Sequence, residues 1–301
     1  MPLGNRVLQY VESQAAHIES RVRMIEYGDI QYPGLIGISR EASPNADTII
    51  YYSTDGSGKM ADIGNSATDF PFVEVTEAQH SVPIHWKGLA YGWTIRDIGR
   101  AMEVGMPLQD RKVRQAFRTA EEEKERVFLY GDAAKGWDGM INNSSVTATG
   151  ANKTWMTSTA AEIFKEVNEL LAGVWVDSNQ VRIANTLLLP VDIFAYLQNP
   201  MGDNADKSIM DYIKMFNIYT AQTGNPLMIR TVRQLSTAGD SSSKRAVAYT
   251  RDMNVVRYHI PQDLTFLSPQ QMAMSYVYYG YLVLGGVEIM EPTAFRYLDS
   301  I

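Results

Sequence analysis

Two β-forming runs joined by a loose turn constrain this chain more than any other feature. Thr48-Ile49-Ile50-Tyr51-Tyr52 strings together β-branched and aromatic residues, and Phe70-Pro71-Phe72-Val73-Glu74-Val75 does so again. Between them, Asp55-Gly56-Ser57-Gly58-Lys59 is a turn cluster. Residues 48–76 therefore read as a long hairpin with a Gly- and Ser-containing end. Arms of about 8–10 residues would reach ~30 Å at the usual strand rise. Two strands alone are marginally stable in water. The hairpin must lie against its own domain or against another molecule.

The clearest single element follows. Met106-Pro107 opens a helix and Gly131 closes it, since proline suits the first helical position and glycine the end. Val113, Ala116, Phe117, Ala120, Val127 and Phe128 form its apolar stripe. Its charges oppose the helix macrodipole, which favours acids first and bases last. Arg111, Lys112, Arg114 and Arg118 fill the first half, and Glu121, Glu122, Glu123 and Glu125 the second. They form either a solvated face or charge meant for an adjacent subunit. Pairs four apart, such as Arg118–Glu122, add only ~0.2–0.5 kcal/mol each.

The remaining pattern is mixed. Leu8, Val11, Ala15, Ile18, Val22 and Ile25 predict an amphipathic helix over 6–26, packed on its own domain or laid on a neighbour. Val82 to Trp86 and Tyr91 to Ile95 read as β structure, and Arg96 to Val104 as helical. Gly131 to Gly150 is a plausible domain boundary. Thr159-Ala160-Ala161-Glu162 is a capping box before a helix. Thr186 to Leu189 reads as a buried strand, Ser208 to Asn217 as a helix, and Leu227 to Ile229 and Arg245 to Tyr249 as strands. Gln270 to Ile289 reads as one long strand with Met272, Met274, Tyr276 and Tyr278 on one side. The class is α+β, without internal repeats.

Several chemistries fall away. The 301-residue chain has no cysteine, which removes disulfides, thiolate nucleophiles and cysteine metal sites. A formal charge of -7 argues against a protein whose main task is gripping nucleic acid. The most apolar stretch, Tyr276 to Val287, is short and broken by glycine, whereas a membrane span needs roughly 20 apolar residues. The start of the chain carries no apolar signal segment. Gly56-x-Gly58-x-x-Ala61 lacks the helix that would hold a pyrophosphate. Gly131 to Gly136 has phosphate-loop spacing, but Trp137 stands where lysine is required. Ser241-x-x-Lys244 sits in a polar loop without its partner motifs. Of four histidines only His80 and His85 are close, and in one strand they would face opposite ways. No catalytic, cofactor or metal site assembles, so no cofactor is expected.

The order of segments carries a resemblance. Trp86-Lys87-Gly88-Leu89-Ala90-Tyr91-Gly92-Trp93-Thr94-Ile95 leads to Gly105-Met106-Pro107-Leu108. The helix then runs through Ala120-Glu121-Glu122-Glu123 to Phe128-Leu129-Tyr130-Gly131-Asp132, with Gly136-Trp137-Asp138-Gly139-Met140-Ile141-Asn142 after it. Near the end stand Gly285-Gly286-Val287-Glu288-Ile289 and Pro292-Thr293-Ala294-Phe295. Over about residues 45–301 this resembles tailed-phage major capsid proteins of the Hong Kong 97 fold.

That resemblance implies an organisation. Residues 1–47 would be an N-terminal arm, and 48–76 an extended loop crossing a neighbouring subunit. Residues 77–149 would be a peripheral domain with its spine helix at 107–130. Residues 150–250 would be an axial α/β domain, and 251–301 return strands to the peripheral domain. Inter-subunit contacts would fall at Asp55, Gly56, Gly58 and Lys59 of the loop. On the spine helix, Arg111, Arg114, Arg118, Glu122 and Glu125 would serve contact or packing. Some relatives join a loop lysine to an asparagine; Lys59 stands at a matching kind of place, and no asparagine partner follows. The implied activity is assembly, not catalysis. Copies of the chain would form pentamers and hexamers of an icosahedral virion shell around double-stranded DNA, without sequence-specific binding or a membrane. Assembly would occur in the host bacterial cytoplasm, with separate scaffold, portal or decoration proteins as further partners. An encapsulin-type compartment holding a cargo enzyme is the alternative, and a soluble α/β enzyme the third reading.

Overall fold

The computed structural model describes residues 30–60, 62, 72–104, 111–200 and 207–301. The helix expected at 6–26, the Phe70-Pro71 start of the second run and the 107–110 opening of the spine helix lie outside them. After a single helical turn at Tyr32–Leu35 come β1 (Gly37–Ser39), β2 (Thr48–Ser57), β3 (Glu74–Pro83) and β4 (His85–Thr94). Two helices follow, α1 (Ile95–Val104) and α2 (Arg111–Tyr130). Short strands β5 (Gly131–Asp132), β6 (Trp137–Asp138) and β7 (Thr147–Gly150) lead to α3 (Ala160–Asp177). Then come β8 (Thr186–Leu189), α4 (Val191–Tyr196), α5 (Ile209–Phe216), α6 (Ile218–Thr223), β9 (Met228–Thr231) and β10 (Arg245–Tyr249). The chain ends with β11 (Val256–His259), β12 (Gln262–Phe266), β13 (Gln270–Met272), β14 (Ser275–Leu284), β15 (Gly286–Ile289) and β16 (Phe295–Asp299).

One mixed sheet runs in the order β7-β16-β10-β8-β9, and its inner strands β16, β10 and β8 are buried on both faces. Strand side chains alternate between faces, and the alternation here separates two cores. Leu187, Leu189, Ala246, Ala248 and Leu298 pack with Ile163, Val167, Leu171 and Val174 of α3. Leu188, Val247, Tyr249, Phe295 and Tyr297 turn the other way and pack with Val127, Phe128 and Leu129 of α2. Such strands read as continuous apolar runs, as Thr186 to Leu189 does. The expected boundary near 150 and the expected return of 251–301 both need correction here. β7 pairs with β16, and β16 with β10, so residues 147–150 and 295–299 belong to this sheet. Two-sided burial selects Phe295, Tyr297 and Leu298 for an interior strand.

β11 lies between β1 and β15, and β14 pairs with β4 on one side and with β12 and β13 on the other. The single long strand expected over 270–289 is three strands. Ala273 adopts φ 51°, reversing the chain between Met272 and Ser275. Gly286, at φ 71°, breaks it again, and a Cβ there would meet the Trp137 ring at 2.7 Å. Tyr276 and Tyr278 are therefore buried while Met272 and Met274 are exposed.

α2 buries Val113, Ala116, Ala120, Val127, Phe128 and Leu129. It ends at Gly131, φ 69°, where a Cβ would collide with the Trp137 carbonyl oxygen at 2.2 Å. A residue with no Cβ is required at so close an approach. The capping box before α3 forms: Thr159 Oγ1 accepts from Glu162 N, and Thr159 N donates to Glu162 Oε2.

Candidate assembly interface

The ribbon is longer at its base than its sequence suggests, and its first strand runs on through Asp55-Gly56-Ser57. β2 and β3 pair without a break from Thr48 opposite Pro83 to Ser57 opposite Glu74. Asp55 and Gly56 thus stand in a strand, opposite Thr76 and Val75, and not in a turn. Gly58 and Lys59 follow the strand and are exposed. The expected end of the loop at 76 moves to Pro83, because the pairing register continues to the start of β4. Apolar side chains on this ribbon stay uncovered by their own chain: Tyr52 is 64% exposed, Val75 62% and Phe72 86%. A ribbon with bare apolar residues is the kind of surface a partner covers.

Its root is built firmly. Ile84 N donates to Asp47 O at 2.8 Å. The Tyr51 ring stacks on His80 of β3 at 5.0 Å. Burial, and then the neighbouring Glu288 carboxylate, push the Tyr51 hydroxyl pKa up. Glu288 in turn sits between two cross-strand partners: Arg257 Nε and His259 Nε2 each lie 2.6 Å from its Oε2. Burial works to raise the Glu288 pKa, but those hydrogen bonds hold it below the ordinary carboxylate value. The root of the ribbon therefore meets the β11–β15 pair at a buried polar cluster.

The charges on α2 divide between the subunit's interior and its surface. Glu125 is turned inward: its Oε2 accepts from Tyr32 N at 2.9 Å and Gln31 N at 3.2 Å. Those are orphan N–H groups at the start of the Tyr32–Leu35 turn, which need an acceptor. Glu125 is thus a packing residue within the chain. Lys124 is also buried, paired with Glu121 and with Asp263. Burial lowers its pKa, but Tyr32, Glu121 and Asp263 outweigh that and push it up. Glu123 receives Arg126 through Nε and Nη2 at 2.8 and 2.9 Å and also pairs with Lys87. Glu122 faces solvent with Arg118, Nε to Oε1 at 2.7 Å. Arg114 is exposed, and Arg111 opens the helix. Lys112 reaches across to Gly92 O at 2.6 Å. The acids of the second half are therefore met largely from within the subunit, by bases including Lys87 of β4. Spacing of three signals Glu121–Lys124 and Glu123–Arg126; nothing in the sequence signals Lys87, Asp263 or the Tyr32 amide.

The decoy motifs resolve as structure. Lys244 pairs with Asp192, and Ser241 sits in a left-handed turn at φ 53°. His80 and His85 stand on different strands, His85 beside Trp137 at 5.3 Å. Among the described residues no three His, Cys, Asp or Glu side chains converge as a metal site, and no helix is long and apolar enough to cross a membrane.

Comparison with known proteins agrees with this geometry. The sequence profile of the major capsid protein family matches residues 58–301. The capsid of Myoviridae phage XM1 superposes with a TM-score of 0.76 at 15% identity, over 92% of this chain and 94% of that one. The Mycobacterium phage Ogopogo structure gives 0.59 at 12% identity, over 92% and 93%. A virus-like particle from Pyrococcus furiosus gives 0.55 at 13% identity, over 96% and 99%. No curated protein matches the chain. The fold is the Hong Kong 97-type capsid fold.

Proposed function

The chain belongs to the major capsid protein family, and from that premise we propose that copies of it close into an icosahedral shell through the ribbon described above. The observation that carries this is the β2–β3 ribbon itself, ten residues to an arm, with Tyr52, Val75 and Phe72 bare. Two strands lack the buried area to hold themselves, and a neighbouring copy supplies it. Contacts in which one copy's ribbon meets a different patch on the next are heterologous, and such contacts generate rings where the rotation between copies closes. Pentamers and hexamers are the rings of an icosahedral shell.

On this reading the five-stranded sheet with α3 lies toward the five- and six-fold axes. The part built on α2, β4 and β14 lies at the periphery. Gly56, Gly58 and Lys59 are carried at the far end of the ribbon, with Asp55 beside them. Arg114, Arg118 and Glu122 lie on the exposed side of α2, and Arg111 is its first described residue. The shell encloses double-stranded DNA, and the net negative charge keeps the subunit from gripping it. Assembly takes place in the bacterial cytoplasm, and the chain carries no catalytic role.

Shortening the ribbon tests this. Ser53 and Ala78 are directly paired, so residues 54–77 can be replaced by Asn-Gly, which favours a tight two-residue hairpin turn. The variant should keep the circular dichroism spectrum and thermal midpoint of the unassembled subunit. Under conditions where the parent forms shells, it should stay small by size-exclusion chromatography and negative-stain microscopy. Normal shells from the shortened chain would sink the proposal. DNA or a packaged enzyme inside parent shells separates a virion from a cargo compartment.

A further inference from the structure

We infer that the free edge of β4 accepts the ribbon of a second copy, which adds its β3 there as one more strand. The inference rests on the ribbon reading above and names where the ribbon goes. Among the described strands β4 is paired on one side only, with β14. Its hydrogen-bond phase can be fixed from one contact. Ile95 N donates to Met274 O at 2.9 Å, and these residues stand opposite each other one step beyond Thr94 and Ser275. In an antiparallel pair, bonded and non-bonded positions alternate. The odd-numbered residues of β4 therefore bond to β14. Trp86, Gly88, Ala90 and Gly92 turn their N–H and C=O groups outward. Lys112 Nζ meets Gly92 O on that outer side, as this phase requires.

Sheet edges are normally guarded by charge, proline, bulges or cover. Trp86 stands at one end of this edge, Gly88, Ala90 and Gly92 place nothing larger than a methyl group along the rest, and no described strand pairs with it. Beside the edge runs an open groove of 690 Å3, lined by Leu89, Tyr91 and, from α2, Lys112, Ala116 and Thr119 among others. A strand laid on the edge would also lie along the first half of α2.

The ribbon offers a matching edge. Ile84 N donates to Asp47 O opposite it, so even-numbered residues of β3 bond to β2. Val75, Glu77, Gln79 and Ser81 turn their backbone groups outward. Charge selects the pair: residues 48–83 carry five acids and one lysine, whereas Arg111 to Ala120 carry four bases and no acid. β3 rather than β2 is the added strand because Glu74 and Glu77 ride on it. The reversed charge order on α2 then has a use, since a neighbour's acids compensate it.

Residue-resolved amide exchange on unassembled subunits and on shells is the test. In the subunit, Leu89 and Tyr91 should exchange slowly and Gly88 and Ala90 fast. In shells, Gly88 and Ala90, together with Val75, Glu77 and Gln79, should slow at least about tenfold. Unchanged exchange at these amides overturns the assignment. Slowing at Gly88 and Ala90 without Val75, Glu77 and Gln79 means that another segment holds the edge, and overturns it too. Ala90→Pro removes only an outward N–H and should leave a folded subunit that does not form shells. Normal shells from Ala90→Pro would overturn the inference. If that variant fails to fold, the exchange comparison on the parent decides alone. If the shortened ribbon blocks assembly while Gly88 and Ala90 stay unprotected in shells, the acceptor is wrong and the ribbon reading stands.

Discussion

Glu123 receives a two-pronged hydrogen bond from Arg126, and that contact does most to hold its carboxyl pKa down to about 2. Burial opposes the shift, and Lys87 adds to it. The sign of the consequence follows from linkage. A carboxylate whose folded pKa is depressed contributes stability above the unfolded value of about 4.3. That contribution is lost as pH falls through the folded value. The urea midpoint of the unassembled subunit should therefore drop between about pH 4.3 and 2. Glu123→Gln should lie below the parent at pH 7 and converge on it as the pH approaches 2. Parallel curves over that range would show that the Arg126 contact does not discriminate between the charged and neutral acid. In the sequence Glu123 is only one charge of an acidic run, and four-residue spacing points Arg126 at Glu122 and not at Glu123. Its second cation, Lys87, comes from a strand 36 residues away, which no local pattern encodes.

At the scale of elements, local signals served where local chemistry decides. The capping box at Thr159 and Glu162, the buried run Thr186 to Leu189 and the glycine stop at Gly131 all stand where the sequence places them. The failures lie where a distant contact decides. Residues 270–289 alternate well enough to pass for one strand, yet Ala273 takes a left-handed turn because β13 folds back on β14. Glu125 looked like part of a solvated acidic face. Instead it ties α2 to the Tyr32–Leu35 turn, accepting two backbone N–H groups that the Gln31 side chain does not cap. Removing an acceptor from buried donors costs about 1–3 kcal/mol. Glu125→Ala should thus destabilise the unassembled subunit by about 2 kcal/mol, read from its urea midpoint. Glu122→Ala, one residue away and exposed, should shift it by less than about 0.5 kcal/mol. Equal effects would mean that Glu125 is not serving as the cap.

For the whole molecule, two domains in sequence are not two independent folding units. β16 lies inside the five-stranded sheet, between β7 and β10, and its alternate side chains enter different cores. Tyr297 faces α2 and donates its hydroxyl to Met140 O at 2.7 Å. Leu298, the next residue, packs with the α3 core. Arg245 and Asp299 close the strand end with a buried two-pronged ion pair, 2.6 and 2.8 Å. A composition break at 131–150 marks where the chain crosses between cores, but it cannot show that the final strand crosses back. That depends on a parallel pairing with β7, about 150 residues earlier, which leaves no local trace. The architecture has a measurable consequence. A sheet buried on both faces cannot lose one core and keep the other, so the subunit should unfold in one cooperative step. Tyr297→Phe leaves the Met140 carbonyl without its donor, at a cost of about 1–3 kcal/mol. Although that change touches only the α2 side, exchange of the Val167 and Leu170 amides in α3 should quicken as much as that of Val127 and Phe128 in α2. Leu298→Ala, on the opposite face, should quicken the same two sets together. Acceleration confined to the mutated side would show that the shared sheet does not couple the cores.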